Sequence, residues 1–461
     1  MRKTKIVATL GPATDQGQTL QQMLVAGVDV ARMNMSHQDA DTHRRRAAEV
    51  RRLSRELERP VALLVDTKGP EIRLGAMESD TLTLRDGAMF TICSRPVLGN
   101  SERASVSYLP FAGEVMPSAR ILIDDGRLEL QAEEPTDEGL LCRVIHGGPL
   151  RAGKSVRVPG VSLAIPFLSD KDRADLKLAC EMEADMVAAS FTRSAADVAI
   201  IRRELAQHGG EGIQVIAKIE NAEGVHHLDE ILRVADGILI ARGDLGMEYP
   251  MEELPAIQKE IIYKSYSAGV SVITATQMLE SMMTASRPTR AEVCDVAGAI
   301  YDGTSAVMLS GETAAGQYPV EAVATMSRIA AKTEQSIDYK ARFNFRAATD
   351  SDSITEAMAA AAVDAAHRLN ASAIITLSST GRGARMLAKY RPACPIVCVT
   401  PDPVTHRQTM LTWGVVPLLL SPAPAADLYV AAVECARGAG RILPGQRVVA
   451  VAKEGIRVIS E

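Results

Sequence analysis

Ala217-Lys218-Ile219-Glu220-Asn221 and, downstream, Ala241-Arg242-Gly243-Asp244-Leu245-Gly246 each follow an apolar run of strand length, residues 213–216 and 237–240. Residues i and i+2 of a strand point the same way, so Lys218 and Glu220 share a face where their strand ends. Asp244 follows the next strand, just before Gly246 and an expected turn. Two carboxylates converging beside a lysine suit a hard divalent cation such as Mg²⁺. The lysine adds a positive charge for a phosphate or a developing oxyanion. The same residues also read as a salt-bridged Lys–Glu pair at a sheet end.

The rhythm around these motifs decides the architecture. Upstream, residues 5–10, 28–33 and 61–65 read as strands, separated by helical patterns over 19–26 and 40–58. A helical pattern over 171–183 precedes strands at 186–190, 213–218, 237–241, 271–276 and 305–310. Strands alternating with helices imply parallel βα units, and eight of them argue for an α/β fold, the (β/α)8 TIM barrel. Polar residues recur at the strand ends: Arg32 and Asn34, Asp66 and Thr67, Ser190, Lys218 and Glu220, Asp244, Thr276, then Ser310 and Glu312. Catalytic groups of such barrels sit at the C-terminal ends of the strands. Singly, each has an ordinary reading as a surface ion pair, a helix cap or a turn residue. Together they are hard to reconcile with packing alone.

Between the third and fourth strands the pattern changes. Residues 75–155 are rich in Thr, Val, Leu, Gly and Asp, and Asp124-Asp125-Gly126 before Leu128 and Leu130 reads as a hairpin. The expected organisation is a discontinuous barrel domain over 1–69 and 157–335, an inserted β-rich lid over 70–156, and a C-terminal α/β domain over 345–461. Residues 331–353 read as a connecting helix and linker. In the last unit a helix over 354–369 precedes a strand over 373–377, and Ser378-Ser379-Thr380-Gly381-Arg382-Gly383 opens another helix. Hydroxyls and glycines at a helix start can cradle an anion, with Arg382 and Arg385 nearby; the alternative is an ordinary helix cap.

Bulk properties narrow the function classes. The chain has 461 residues and a formal net charge of −6, so it carries no basic footprint for nucleic acid. No apolar run reaches membrane-spanning length, and the apolar part of MRKTKIVATLGPAT is too short for a signal peptide. Seven cysteines lie scattered without paired zinc spacings, as suits a reducing cytoplasm. Aromatic residues make up only 3%, which argues against stacking platforms for bases or sugars.

The motifs resemble those of the pyruvate kinase family. The matching pieces are Lys5-Ile6-Val7-Ala8-Thr9-Leu10-Gly11-Pro12, Ala31-Arg32-Met33-Asn34-Met35-Ser36-His37 and Asp66-Thr67-Lys68-Gly69-Pro70-Glu71-Ile72-Arg73. Further on come Ala189-Ser190-Phe191, the two opening motifs, Ala275-Thr276-Gln277-Met278-Leu279-Glu280 and Met308-Leu309-Ser310-Gly311-Glu312-Thr313. The resemblance runs from residue 3 to about 330 and continues more weakly to the end. It implies phosphoryl transfer from phosphoenolpyruvate to ADP, giving pyruvate and ATP in glycolysis. It also implies a barrel with a β-rich lid after its third strand and a C-terminal α/β domain.

Carried over residue by residue, the resemblance implies that Glu220 and Asp244 ligate Mg²⁺ or Mn²⁺ and that the Gly243 and Asp244 amides hold the substrate carboxylate. Lys218 and Arg32 would face the transferring phosphoryl group, and Thr276 the carbon that receives the proton. Asn34, Ser36, Asp66 and Thr67 would bind K⁺. Asn34, His37, Arg73 and Lys154 would meet the nucleotide. A phosphorylated small-molecule effector at residues 378–383 and a cytoplasmic homotetramer are further expectations. Glu71 stands where K⁺-dependent members have Glu and K⁺-independent members have Lys, so a K⁺ requirement is expected; a simple pair with Arg73 is the plain alternative.

The chain departs from the family pattern in the lid. Lys154-Ser155-Val156-Arg157-Val158-Pro159 stands where the family usually has Lys-Gly-Val-Asn-Leu-Pro, and Leu163-Ala164-Ile165-Pro166 where Val-Asp-Leu-Pro is common. The final turn, Lys453-Glu454-Gly455, is short where many relatives carry a Gly-rich loop over a phosphorylated sugar. Two rivals differ in class: another barrel enzyme acting on phosphoenolpyruvate or pyruvate, such as a metal-dependent aldolase or lyase, and a non-catalytic effector-binding protein that keeps the fold. The first would not need the inserted domain or Arg73. The second predicts loss of Lys218, Glu220 or Asp244, and all three are present.

Overall fold

A computed structural model describes residues 2–346, 353–420, 427–452 and 455–460. Lys5–Thr9, Val30–Asn34, Ala62–Asp66, Met186–Ala189, Gln214–Ile219, Gly237–Ala241, Ser271–Ala275 and Ala306–Leu309 are the eight strands of a closed parallel barrel. Each pairs with its neighbour in chain order, and the last closes on the first with Lys5 opposite Ala306. Their near-continuous apolar sequences follow from burial on both faces. Alternation within a strand divides the two layers. Val7 points into the barrel with Leu64, Ile216, Leu239 and Met308, whereas Ile6 and Ala8 point outward beneath the helices.

The helices start and stop on local signals. Ser169 and Asp172 form a capping box at the start of the helix Asp170–Glu181, and Thr289 and Glu292 do so for Arg290–Asp302. Gly303, at φ +105°, closes the latter. The expected elements are present with ends within a few residues. Where a turn was expected at Gly246, just after Asp244, there is instead a short helix, Arg242–Glu248, with Gly243 and Asp244 in its first turn. An acidic residue favours the amino end of a helix, and buried Leu245 anchors the segment to the barrel. After residue 330, Pro319–Glu334 completes its helix and Tyr339–Arg346 forms another. The remainder of the expected linker to residue 352, and Lys453 and Glu454 of the last turn, lie outside the described residues.

The segment inserted after the third barrel strand forms a seven-stranded sheet with its own core around Phe90, Ile92, Phe111, Ile121 and Leu130. The hairpin read from Asp124-Asp125-Gly126 is there, joining Arg120–Ile123 to Leu128–Pro135, with all three turn residues at positive φ. Asp and Gly tolerate that conformation, which the tight connection requires. The inserted sheet overhangs the carboxyl end of the barrel strands through Ser155–Arg157.

The C-terminal unit is a five-stranded sheet in the spatial order Val415–Leu419, Ile396–Thr400, Ala373–Leu377, Arg447–Ala452 and Gly455–Ser460, the last antiparallel. It docks on the opposite, amino end of the barrel. Met410 and Leu411 enter the barrel's inner core. The Gln408 amide donates to the carbonyls of Asp185 and Gly212 at 3.1 and 2.7 Å, and Arg407 pairs with Asp185 at 2.7 Å. Lys5 Nζ reaches the Val415 carbonyl at 2.7 Å, and burial pulls its pKa down to about 8. No helix of the described residues is long and apolar enough to cross a membrane.

Candidate active site

The polar strand ends converge at one end of the barrel. Lys218 lies within its strand, and its ammonium is 2.8 Å from Ser190 Oγ, 3.0 Å from Glu220 Oε1 and 3.1 Å from Asp66 Oδ1. Arg32 donates from Nε to Asp66 Oδ2 at 2.6 Å and from Nη1 to Thr9 Oγ1 at 2.8 Å. Ser190 donates to the Thr67 carbonyl at 2.6 Å, and its backbone amide donates to Thr67 Oγ1 at 3.2 Å. All these side chains are buried. Parallel register explains the assembly: Arg32 lies opposite Leu64 and Asn34 opposite Asp66, so the second and third strands end side by side.

Electrostatics hold the cluster charged. Burial opposes charge on Lys218, but the Asp66 and Glu220 carboxylates outweigh it and hold the ammonium above the ordinary lysine pKa. Burial likewise opposes charge on Asp66, yet Arg32 and Lys218 keep its pKa below the usual range. Glu220 differs: burial, with the nearby Asp244 carboxylate, pushes its pKa up despite Lys218. Its Oε2 accepts the Phe191 backbone amide at 2.6 Å. Phe191 sits at φ +56°, a conformation that costs a bulky residue energy and that the surrounding structure must enforce.

Asp244 is half-buried at the edge of this cluster, and its Oδ1 pairs with Arg157 at 2.8 Å. The Gly243 amide donates to Thr276 Oγ1 at 3.0 Å, which joins the short helix to the end of the seventh barrel strand. Thr276 and Gln277 stand at φ +67° and +55°.

The other expected residues fall around this centre. Asn34 Oδ1 accepts the Ser36 amide at 3.0 Å, in a turn that His37 closes through the Asn34 carbonyl. His37 is exposed. Arg73 ends a lid strand and Lys154 immediately precedes the lid strand that pairs with it; Arg73 pairs with Glu71 at 2.7 Å and Lys154 with Asp124 at 2.8 Å. The structure thus brings Arg32, Asp66, Thr67, Lys218 and Glu220 into one network. Among the described residues Arg73 and Lys154 make their ion pairs within the inserted segment. Ser378–Gly383 lies in the C-terminal unit, remote from the centre. There Gly381 stands at φ +69° before the helix Arg382–Lys389, the Ser379 carbonyl accepts from Thr405, and Arg385 donates to the Thr380 carbonyl.

Three contributors were not picked out from the sequence. Thr9 positions Arg32. Arg242 donates to the Thr276 and Ala275 carbonyls and pairs with Asp295 at 2.7 Å. Arg157 reaches Asp244 from the inserted sheet. The departure at position 157 was the only sequence signal for the last; the partners of Thr9 and Arg242 are joined only through the barrel's closure.

Whether a divalent cation fits here turns on the donor set. Among the described residues no group of three or more His, Cys, Asp or Glu side chains is arranged to hold a metal ion. Mg²⁺ is commonly held by one or two carboxylates, with water and substrate oxygens completing its shell. Glu220 and Asp244, two carboxylates at the ends of adjacent barrel strands, meet that requirement.

Comparison with known proteins places this geometry in context. A family model described as pyruvate kinase, barrel domain, matches residues 1–323, and one described as pyruvate kinase, alpha/beta domain, matches residues 356–459. The chain is 46% identical over 454 residues to the pyruvate kinase of Geobacillus stearothermophilus, covering 98% of this chain and 77% of that one. It is 43% identical to the pyruvate kinase of Clostridium acetobutylicum, covering 98% and 96%. A solved pyruvate kinase from Cryptosporidium parvum superposes with a TM-score of 0.95 at 37% identity, over 100% of this chain and 96% of that chain. With two family models spanning most of its length and relatives this similar along nearly all of it, the chain belongs to the pyruvate kinase family.

Proposed function

We propose that Lys218, Arg32 and Thr276 carry the phosphoryl transfer of this enzyme, on a cation platform built from Glu220 and Asp244. The enzyme transfers the phosphoryl group of phosphoenolpyruvate to ADP, giving pyruvate and ATP. Such transfer needs positioning and charge neutralisation more than covalent help from the protein. The observation that carries the assignment is the buried Lys218 ammonium, kept charged between Asp66 and Glu220 and aimed at the end of the barrel that bears the polar residues.

Lys218 and Arg32 neutralise the phosphoryl oxygens, and Lys218 also faces the oxygen from which the group departs. Thr276 stands where the enol carbon takes its proton. The Gly243 and Asp244 amides, at the start of their short helix, orient the substrate carboxylate; for this the Gly243 amide must exchange Thr276 Oγ1 for the substrate. Glu220 and Asp244 would hold a divalent cation, Mg²⁺ or Mn²⁺, which would supply positive charge against the anionic substrate. Asn34, Ser36, Asp66 and Thr67 offer the oxygen ligands for K⁺. Asn34 and His37 on the barrel, with Arg73 and Lys154 on the lid, receive the nucleotide.

The reading extends to three domains with the boundaries expected from the sequence and to a cytoplasmic homotetramer; a monomer or dimer in analytical ultracentrifugation would overturn the tetramer. All seven cysteines are free thiols, in keeping with a reducing compartment. The C-terminal loop Ser378-Ser379-Thr380-Gly381-Arg382-Gly383 is the proposed seat of a phosphorylated effector, a sugar phosphate or AMP. The test of the reaction is pyruvate formation from phosphoenolpyruvate, followed with and without ADP. Formation strictly dependent on ADP is the expected outcome; ADP-independent release of pyruvate would point to a hydrolase or lyase instead.

A further inference from the structure

The strand Ser155–Arg157 belongs to the inserted sheet, yet the side chain at its end leaves that sheet. The Arg157 guanidinium crosses to the barrel and places Nη2 2.8 Å from Asp244 Oδ1. It lies over the Phe191 ring, 4.1 Å from the centroid. Phe191 is the residue whose backbone amide holds Glu220. One arginine therefore pairs with the first proposed cation ligand and packs on the residue that anchors the second. Arg157 Nε is buried with no hydrogen-bond partner. A buried guanidinium N–H left unpaired carries a desolvation cost, so the contact is poorly satisfied as well as charged.

The space around it favours movement. A cleft of about 200 Å³ opens beside Arg157, walled by Ile72 of the inserted segment, by Val158 and Leu163, which pack with that segment's core, and by Phe191 and Glu248 of the barrel. The other arginine on this cleft, Arg193, is held by Asp197 and the Ile165 carbonyl. Arg157 thus has room to swing off Asp244 without evicting another side chain.

We propose that Arg157 is an internal cation that occupies Asp244 until a divalent cation displaces it, so that cation binding releases the lid's charged tether to the barrel. The proposal rests on the assignment of Glu220 and Asp244 as the cation ligands. A guanidinium and a divalent cation compete for the same carboxylate oxygen, and the higher charge density of the divalent ion wins once its concentration is sufficient. Two consequences follow. The chain needs more cation than one with a neutral residue at 157 would, and the position of the lid reports cation occupancy before substrate arrives.

The test uses the full chain without substrate. Free Mn²⁺ is measured by electron paramagnetic resonance at constant ionic strength for the parent, Arg157→Asn, Arg157→Lys and Asp244→Asn, with folding checked by circular dichroism. Removing a competing, partly screened ion pair predicts Mn²⁺ binding roughly three- to ten-fold tighter in Arg157→Asn. Arg157→Lys keeps the charge and stays near the parent. A gain in Arg157→Lys equal to that in Arg157→Asn would overturn the competition. Loss of binding in Asp244→Asn together with unchanged affinity in Arg157→Asn would overturn the role of Arg157 while leaving the cation site intact. Parent-like binding in Asp244→Asn would overturn the cation site itself.

A second readout follows the lid. Spin labels at Arg127 of the lid and Lys259 of the barrel, both exposed, are introduced with the exposed Cys294 replaced by Ser. Mn²⁺ is expected to shift the interlabel distance in the parent, whereas Arg157→Asn already shows the shifted distance without metal. A distance insensitive to Mn²⁺ in the parent would overturn the tether.

Discussion

The Arg242 guanidinium donates to the carbonyl of Thr276 at 2.5 Å, so the residue that follows the sixth barrel strand fixes the backbone at the end of the seventh. Thr276 and Gln277 both hold positive φ, a conformation that costs a non-glycine residue roughly 1–3 kcal/mol and persists only where neighbours impose it. Arg242→Lys keeps the charge but loses the planar fork that serves two carbonyls and Asp295. Its kcat is expected to fall by roughly ten- to a hundred-fold with a smaller change in KM, because Thr276 loses its placement rather than its chemistry. A matching rise in KM with kcat preserved would show that Arg242 serves binding instead.

Lys218→Met removes the charge that Asp66 and Glu220 hold at the strand end. The expected effect is a loss of about 10²-fold or more in kcat with substrate binding still detectable, since the contact strengthens as negative charge develops in transfer. Steady-state kinetics paired with a binding isotherm for phosphoenolpyruvate measures it. Near-normal turnover in the folded variant would rule out the role.

Glu71 pairs with Arg73 at 2.7 Å and lies just past the third barrel strand, whose end carries Asp66 and Thr67. A carboxylate there adds negative charge beside an anionic substrate and favours a monovalent cation. Activity at fixed ionic strength, with K⁺ replaced by a bulky organic cation, is expected to collapse. Glu71→Lys is expected to retain most of its activity without K⁺. Full activity of the parent without K⁺ would remove the argument.

Lys5 provides a stability test. An unfolded chain holds this proton to about pH 10.4, whereas the folded chain releases it near pH 8. Between those values the unfolded state binds more protons, so the Lys5 contribution to stability rises with pH; below about pH 8 the full cost of burying the charge remains. Relative to Lys5→Met, the parent is therefore expected to gain roughly 2 kcal/mol in unfolding free energy between about pH 7.5 and 9.5. Urea unfolding across that range measures the difference, and a flat difference would mean that Lys5 keeps an ordinary pKa in the fold.

In the C-terminal unit, sugar phosphates and AMP are expected to shift the phosphoenolpyruvate saturation curve through the loop 378–383. Thr380→Ala and Arg382→Ala are expected to abolish the shift without altering the curve measured alone. Both side chains are exposed, so the variants should fold normally. The same effector response in both variants would place the site elsewhere.

The barrel was legible in the sequence because parallel strands buried on both faces read as apolar runs, and because the polar residues ending those runs interrupt them at regular intervals. Lys218 and Glu220 could be set on one face from spacing alone. A turn was expected beside Asp244 because Gly243 and Gly246 look like breakers, whereas the segment is helical because Leu245 anchors it, and that anchor is apparent only once its pocket exists. Arg157 stayed hidden for a different reason. Its strand belongs to the inserted sheet while its partner stands on the barrel, and no periodicity in either segment encodes a contact made across a cleft. The same holds for Arg242, whose acceptors are carbonyls on a neighbouring strand, and for Lys5, whose acceptor comes from the far end of the chain.

Met410 and Leu411 have a practical consequence for anyone who dissects this chain. They sit in the same inner layer as Val7, Ile216 and Met308, so the C-terminal unit corks the amino end of the barrel. A fragment ending near residue 335 would be an uncorked cylinder, with apolar lining open to water and the buried Lys5 and Asp185 stripped of Val415 and Arg407. Such a fragment should express as aggregate, since exposed apolar cavities seek one another. Supplying residues 353–461 as a separate chain during refolding should recover soluble, paired material. Recombinant libraries that exchange the C-terminal unit between relatives should therefore carry residues 405–415 along with the barrel that they seal.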